Sequence, residues 1–457
     1  MRRLAALLLI VGFMALVHAA PGGWDRPEGA RLSLSFGFLL IAAYLTGDIL
    51  SWIKLPKITG YILAGVLAGP FVSDFITRDA VAELKLLDSL ALAFIALAAG
   101  GELELAGLGR RCRSICCGVG FQSLGVFAGI FLVVVLGRQW IPFFEGASAA
   151  AVFAAAALVG VLSIARSPSS AIAIISESRA KGPFTETVLG VTVIIDVLVI
   201  ALFAGVVSAA RALVQVDAGL DLFFLLTVGI ELIGSVAAGV AVGWGMSGYI
   251  RRIGSEIPVF ILATAFLVTF FSDQFARFLD SFYEIRFHLE PMLICMSAGF
   301  FIRNCTAAGA SFIERLDRLS LPVYVLFFSL VGASLDLGVL KQTWLLAFLL
   351  AACRAFFIWS SAWLSGRLCG EPPLFYRMAG FSYIAQAGVS LGLAGMLAGS
   401  FPGWGQAASV TIVAMISINQ VIGPVTFKYA LDKVGESRAG RESLRKSTSC
   451  ASSLREK

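Results

Sequence analysis

The sequence predicts an all-α polytopic membrane protein of about thirteen transmembrane helices, and three observations predict it. Of its 457 residues 58% are hydrophobic and only 14% charged, and the mean hydropathy is +0.89, well outside the range of soluble domains. Apolar windows of roughly 20 residues, the length that crosses a bilayer core, follow one another almost end to end. Lys and Arg crowd into alternate connections between those windows, as they do when alternate loops face the cytoplasm.

The chain opens on Arg2 and Arg3, a short apolar run from Leu4 to Val17, and small residues before Pro21, Gly22 and Gly23. That is the pattern of a cleavable signal over residues 1–20, with a retained anchor as the alternative. Thirteen windows follow, near 31–50, 56–73, 86–105, 114–137, 148–178, 187–210, 220–248, 257–276, 288–304, 319–335, 341–366, 375–398 and 405–431. They make residues 31–431 one transmembrane domain.

One set of connections, with the tail, carries 22 basic residues and the other carries 9. The first set includes Arg110, Arg111, Arg113, Arg179 and Lys181 and is expected in the cytoplasm. The mature N-terminus is then outside and the C-terminus inside, in a cell (inner) membrane. The polar, basic tail at 432–457 reads as a solvated or lipid-facing segment, so no nucleic-acid partner is expected. Among eight cysteines, Cys112, Cys116 and Cys117 stand close together without paired C-x-x-C spacing. No zinc site, disulfide framework or cofactor is expected.

Four polar residues fall near the middle of their windows: Arg166 in the fifth, Asp196 in the sixth, Arg354 in the eleventh and Gln386 in the twelfth. Charges at membrane depth are costly; they usually face the bundle interior and mark an ion or substrate path. The fifth window would be about 46 Å long as one helix at about 1.5 Å per residue, more than the bilayer core. It is interrupted by "IARSPSSAIAI". Pro168 removes a backbone donor and disfavours helix at Ser167, while Ser167, Ser169 and Ser170 are placed to bind the carbonyls so exposed.

The twelfth window has a matching interruption, "SYIAQAGVSLGLAG", with Gly388, Gly392 and Gly395 around Gln386. Paired breaks predict inverted repeats, residues 114–210 and 341–431, whose half-helix ends meet at the midplane to build an ion or substrate site. Asn419 then stands where Asp196 stands in the other copy. Gln386 and Asn419 are expected to line that site, with a helix-packing hydrogen bond as the alternative for Gln386.

A carboxylate held away from water accepts either a proton or a metal cation, and each excludes the other. Asp196, with Ser167, Ser169 and Ser170 beside it, therefore reads as an ion- and proton-binding exchange site, with a structural ion pair of Asp196 to Arg354 or Arg166 as the alternative. Arg354 either holds two helices together or yields Asp196 only to a cation. Arg166 is expected to pair with Glu102 or Glu231, or to neutralise Asp196 itself. Glu290 and Asp336 read as caps or interface residues.

The stretches "LPKITGYILAGVLAGP" (55–70), "SPSSAIAIISESRAKGPFTETVLGVTVIIDVLVI" (167–200), "FFSLVGASLDL" (327–337) and "NQVIGPVTFKYAL" (419–431) together resemble the monovalent cation:proton antiporter superfamily, in its sodium/hydrogen exchanger and Kef-type branch. The resemblance implies the sodium/proton antiporter fold and a homodimer. In it a six-helix core slides against a dimerisation domain and carries a carboxylate-bound ion in elevator fashion. It also implies that Asp196 is the essential ion-binding aspartate and that Arg354 is the basic residue on the first helix of the second repeat.

Two departures stand out. Ile195 occupies a place where many members carry Asp or Asn, which argues against a two-carboxylate, electrogenic exchanger. Arg166 stands where the unwound stretch often begins with threonine. The expected function is electroneutral exchange of Na+ or K+ for protons. A transporter of an anion or organic acid on the same fold, and a Kef-like potassium efflux protein, are the alternatives. An enzyme is not expected, because neither clustered carboxylates for a divalent metal nor a nucleophile beside a base is present in the sequence.

Overall fold

The computed structural model describes residues 2–19, 28–214, 222–283, 287, 289–386, 389–401 and 404–441. The tail beyond 441, the end of the expected signal at residue 20, and Gly388 lie outside the described residues. Those described form α-helices with a few 3-10 turns and no strand. Hydrocarbon offers no partner for an open backbone group, so helices that satisfy their own hydrogen bonds are the stable solution for such a sequence.

The first group is α1 (Arg2–Ala19), α2 (Glu28–Trp52), α3 (Lys57–Ala68), α4 (Arg78–Glu83) and α5 (Lys85–Glu102). Helix α1, the expected signal, packs on α2, with Met14 fully buried and the Arg3 guanidinium 2.9 Å from the Asp48 carboxylate. Next come α6 (Leu105–Leu136), α7 (Ala149–Ile164), α8 (Pro168–Ser178) and α9 (Pro183–Val214), then α10 (Leu222–Arg252), α11 (Ile257–Tyr283), α12 (Pro291–Cys305) and α13 (Gly309–Ala333). The last group is α14 (Leu337–Leu368), α15 (Pro373–Ala379), α16 (Val389–Ser400) and α17 (Gly405–Val434). Among the described residues, nine helical stretches are long and apolar enough to cross a membrane.

Two stretches repeat one pattern: a 32-residue helix, an interrupted pair, then another long helix. They are α6, α7 with α8, α9, and α14, α15 with α16, α17. Helix α7 packs between α6 and α9, α14 joins α6 to α17, and α16 lies on α17. Outside this set α5 packs along α12, α12 along α10, and α13 on α3 and α5. The α5–α12 contact is backbone to backbone. A Cβ on Gly100 would collide with the Met296 carbonyl oxygen, and one on Gly299 with that of Leu97. Glycine there lets the two axes approach closely, as small residues do throughout membrane bundles.

Two carboxylates, the buried Glu436 and the part-buried Glu177, finish helix ends. Glu436, after α17, accepts from the backbone N–H groups of Phe184 and Thr185 at 2.8 Å each, at the start of α9. Glu177, near the end of α8, accepts from the Lys57 N–H at 2.8 Å and the Ile58 N–H at 3.5 Å, at the start of α3. Both place negative charge where a helix exposes free N–H groups and the positive end of its dipole.

Candidate functional site

Both expected interruptions are present. Helix α7 ends at Ile164, Ala165 and Ser167 are extended, and α8 restarts with Pro168 as its first residue, the position where proline's missing N–H costs nothing. Helix α15 runs into a 3-10 turn at Gly380–Ser382, Tyr383 to Gln386 are non-helical, and α16 begins at Val389. Gly392 and Gly395 lie inside α16, so they belong to the helix and not to the break.

The carbonyls freed by these breaks are bound by Arg354, not by the serines. Arg354 is fully buried on α14. Its Nε donates to the Ser163 oxygen at 2.8 Å, Nη2 to Ala165 at 2.7 Å and Nη1 to Ile384 at 2.8 Å. One planar guanidinium thus holds both interruptions. Gln386 adds a fourth bond, its Nε2 donating to the Leu162 oxygen at 2.7 Å, and its Oε1 accepts from Asn419 Nδ2 at 3.2 Å. The serines turn to one another instead. Ser167 Oγ caps α8 by accepting from the Ser170 N–H at 3.2 Å, and lies 3.0 Å from Ser169 Oγ and 2.9 Å from Ser170 Oγ.

Arg166 is also buried, at 1% exposed. Its Nη2 donates to Gln122 Oε1 at 3.2 Å and its guanidinium carbon lies 5.8 Å from the centre of the Tyr383 ring. Within 4 Å neither arginine has a carboxylate among the described residues. The expected pairings of Arg166 with Glu102, Glu231 or Asp196, and of Arg354 with Asp196, are therefore not formed. The physical reason is that backbone carbonyls at two helix ends, together with an amide oxygen and an aromatic face, offer the guanidinium groups negative partial charge without an acid.

Asp196, on α9, is 8% exposed, and its Oδ1 has no hydrogen-bond partner among the described residues. A buried carboxylate oxygen left open is unusual enough to need an occupant. It opens into a cavity of about 20 Å³ walled by Pro168 and Ser169 of α8, by Ala96 and Ala99 of α5, and by Glu290 at the start of α12. Ile195, the departure beside it, is fully buried among apolar neighbours. Glu290 does not cap α12 with its side chain. Its backbone N–H donates to Ser235 Oγ of α10 at 2.9 Å, and its side chain belongs to the cavity wall.

Of the residues the sequence singles out, the fold brings Arg354, Gln386, Asn419 and the edges of both breaks into one hydrogen-bonded cluster, and places Asp196 with Ser169 at the cavity beside it. Sequence reasoning missed Gln122 and Tyr383 around Arg166, and read Glu290 as an end residue. A glutamine in the middle of "CCGVGFQSLGVFAG" was the available signal for the first.

Comparison with known proteins identifies the fold. Solved structures of the sodium proton antiporter MjNhaP1 from Methanocaldococcus jannaschii have the same fold. One, at pH 8, has a TM-score of 0.65 at 17% identity and covers 91% of this chain and 99% of that one. Another, an electron-microscopy map, has a TM-score of 0.67 at 16% identity, with 90% and 96% covered. The transmembrane sodium/hydrogen exchanger model matches residues 37–433. That match spans most of the sequence, through both interruptions and Asp196, and on it the chain belongs to the sodium/hydrogen exchanger family.

Proposed function

We propose that the chain is a secondary active transporter that exchanges Na+ or K+ for protons at Asp196. The observation that carries this reading is the wall of the Asp196 cavity. Among the described residues it holds two carboxylates, Asp196 and Glu290, the Ser169 hydroxyl, and no basic side chain. A carboxylate in such a place takes a proton or a metal cation but not both, so one side chain couples the two fluxes by mutual exclusion. The buried Arg166 and Arg354, which face away into backbone and amide partners, leave the local field at the cavity to the acids.

The family likeness and the packing support an elevator motion. The interrupted set, α6 to α9 and α14 to α17, would move as one body against the remaining helices, in a homodimer held in the cell membrane with its C-terminus in the cytoplasm. One acid of the moving set at the cavity, Asp196, implies electroneutral exchange. Arg166, with no carboxylate within 4 Å among the described residues, favours a second reading, transport of an anion or organic acid on this fold.

The deciding experiment is flux in proteoliposomes holding a pH dye. Cation addition should move protons, Asp196→Asn should abolish the response, and replacing chloride with a larger anion should change nothing. Silence toward every alkali cation, or dependence on the anion, would overturn the cation reading.

A further inference from the structure

Asp196 alone makes a poor cation site. Two half-helices, α8 and α16, begin at its cavity, at Pro168 and Val389. Each helix start carries roughly half a positive charge, so together they offset about one carboxylate. In broken-helix transporters the unwound carbonyls usually supply the remaining oxygens for a cation. Here those of Leu162, Ser163, Ala165 and Ile384 already accept from Gln386 and Arg354 at 2.7–2.8 Å. The place beside Asp196 where a second acid could stand holds Ile195. Among the described residues, what remains at the cavity is Ser169, Asp196 Oδ1 and Glu290.

Resting on the exchange reading above, we infer that Glu290 supplies the second carboxylate of the cation site from across the cavity, on a helix outside the interrupted set. Its position is built for that. Pro291 starts α12 immediately after it, and Ser235 of α10 holds its backbone N–H at 2.9 Å. The close α5–α12 contact at Gly100 and Gly299 keeps α12 against the cavity wall formed by Ala96 and Ala99. A space of about 20 Å³ admits about one water-sized body, which fits a single dehydrated monovalent cation between the two acids.

The division of labour follows from where each acid sits. Asp196 is carried on α9, whereas Glu290 stays with α10 and α12. Glu290 can therefore serve the cation only while Asp196 faces the end of the molecule where α12 begins, the end opposite the C-terminus of α17. It recruits and discriminates on that face, without carrying charge across.

The test is cation titration on each face of oriented proteoliposomes holding the full chain, with Na+ and K+ as probes. Glu290→Gln should raise the half-saturating concentration about tenfold on the face opposite the C-terminus, with the maximal rate within about twofold of the parent and the other face unchanged. Glu290→Asp should lie between the two. Cation-dependent thermal protection of the purified protein gives the same ranking without transport. Unchanged half-saturation on both faces while the parent exchanges ions would overturn this inference and leave the exchange reading standing. So would a loss of maximal rate that Glu290→Asp does not repair. A parent that neither exchanges nor is protected by either cation would overturn both.

Discussion

Arg354 makes three short bonds to carbonyls from two separate breaks, and this defines its role better than its charge does. Bonds from a charged donor are worth about 1.5–3 kcal/mol each, and a buried acceptor left open costs a similar amount. Arg354→Met should therefore lower stability by at least about 3 kcal/mol, read as a fall in the thermal midpoint of the purified protein. Adding Asp196→Asn should not restore it, as it would if the two side chains were an ion pair. At Asp196 the prediction concerns competition. Lowering the pH on one side should raise the cation concentration needed for half-maximal exchange on that side, because proton and cation contend for one carboxylate. The identity of these residues was legible in the sequence, since charges at membrane depth are rare. Their partners were not. Arg166 was expected to seek an acid, and the fold instead gave it Gln122, 44 residues away, a pairing no local pattern reports.

At the scale of elements, each expected window meets a helix or an interrupted pair, because roughly 20 apolar residues in lipid have few other ways to satisfy their backbone. The break in the fifth window was legible from Pro168 and its length. The break in the twelfth was legible too, but its glycines misled: Gly392 and Gly395 are helical, and the chain opens at Tyr383 to Gln386, where Arg354 and Gln386 supply the missing bonds. Tertiary donors on other helices, not local propensity, decide where such a helix stops. Two element-level outcomes follow. Gly299→Leu should abolish the folded protein, seen as loss of a monodisperse peak in detergent, because a side chain there meets the Leu97 carbonyl. Glu436→Gln, which weakens the cap on α9, should cost about 1 kcal/mol in thermal stability and leave half-saturation unchanged.

For the whole molecule, orientation is the property the basic residues speak to. Cys112 is exposed at the end of the bundle that carries Arg110, Arg111 and Arg113. As the single cysteine of an otherwise cysteine-free variant it should react with an impermeant maleimide only after the cell interior is opened. Reaction in intact cells would invert the topology. If exchange is electroneutral, imposing a membrane potential on proteoliposomes should leave the rate unchanged. Glu177 bears on how the molecule turns over. Its carboxylate receives the first amides of α3, and Lys428 of α17 lies 3.6 Å away while donating to the Leu55 carbonyl at 3.2 Å. A ratchet tooth of this kind, set at the rim between the set that would travel and the set that would stay, would disengage and reseat once per stroke if the proposed elevator motion holds. The tempo of the pump would then be governed at that rim, far from the ion, and so would respond to temperature and to the wetting of α3.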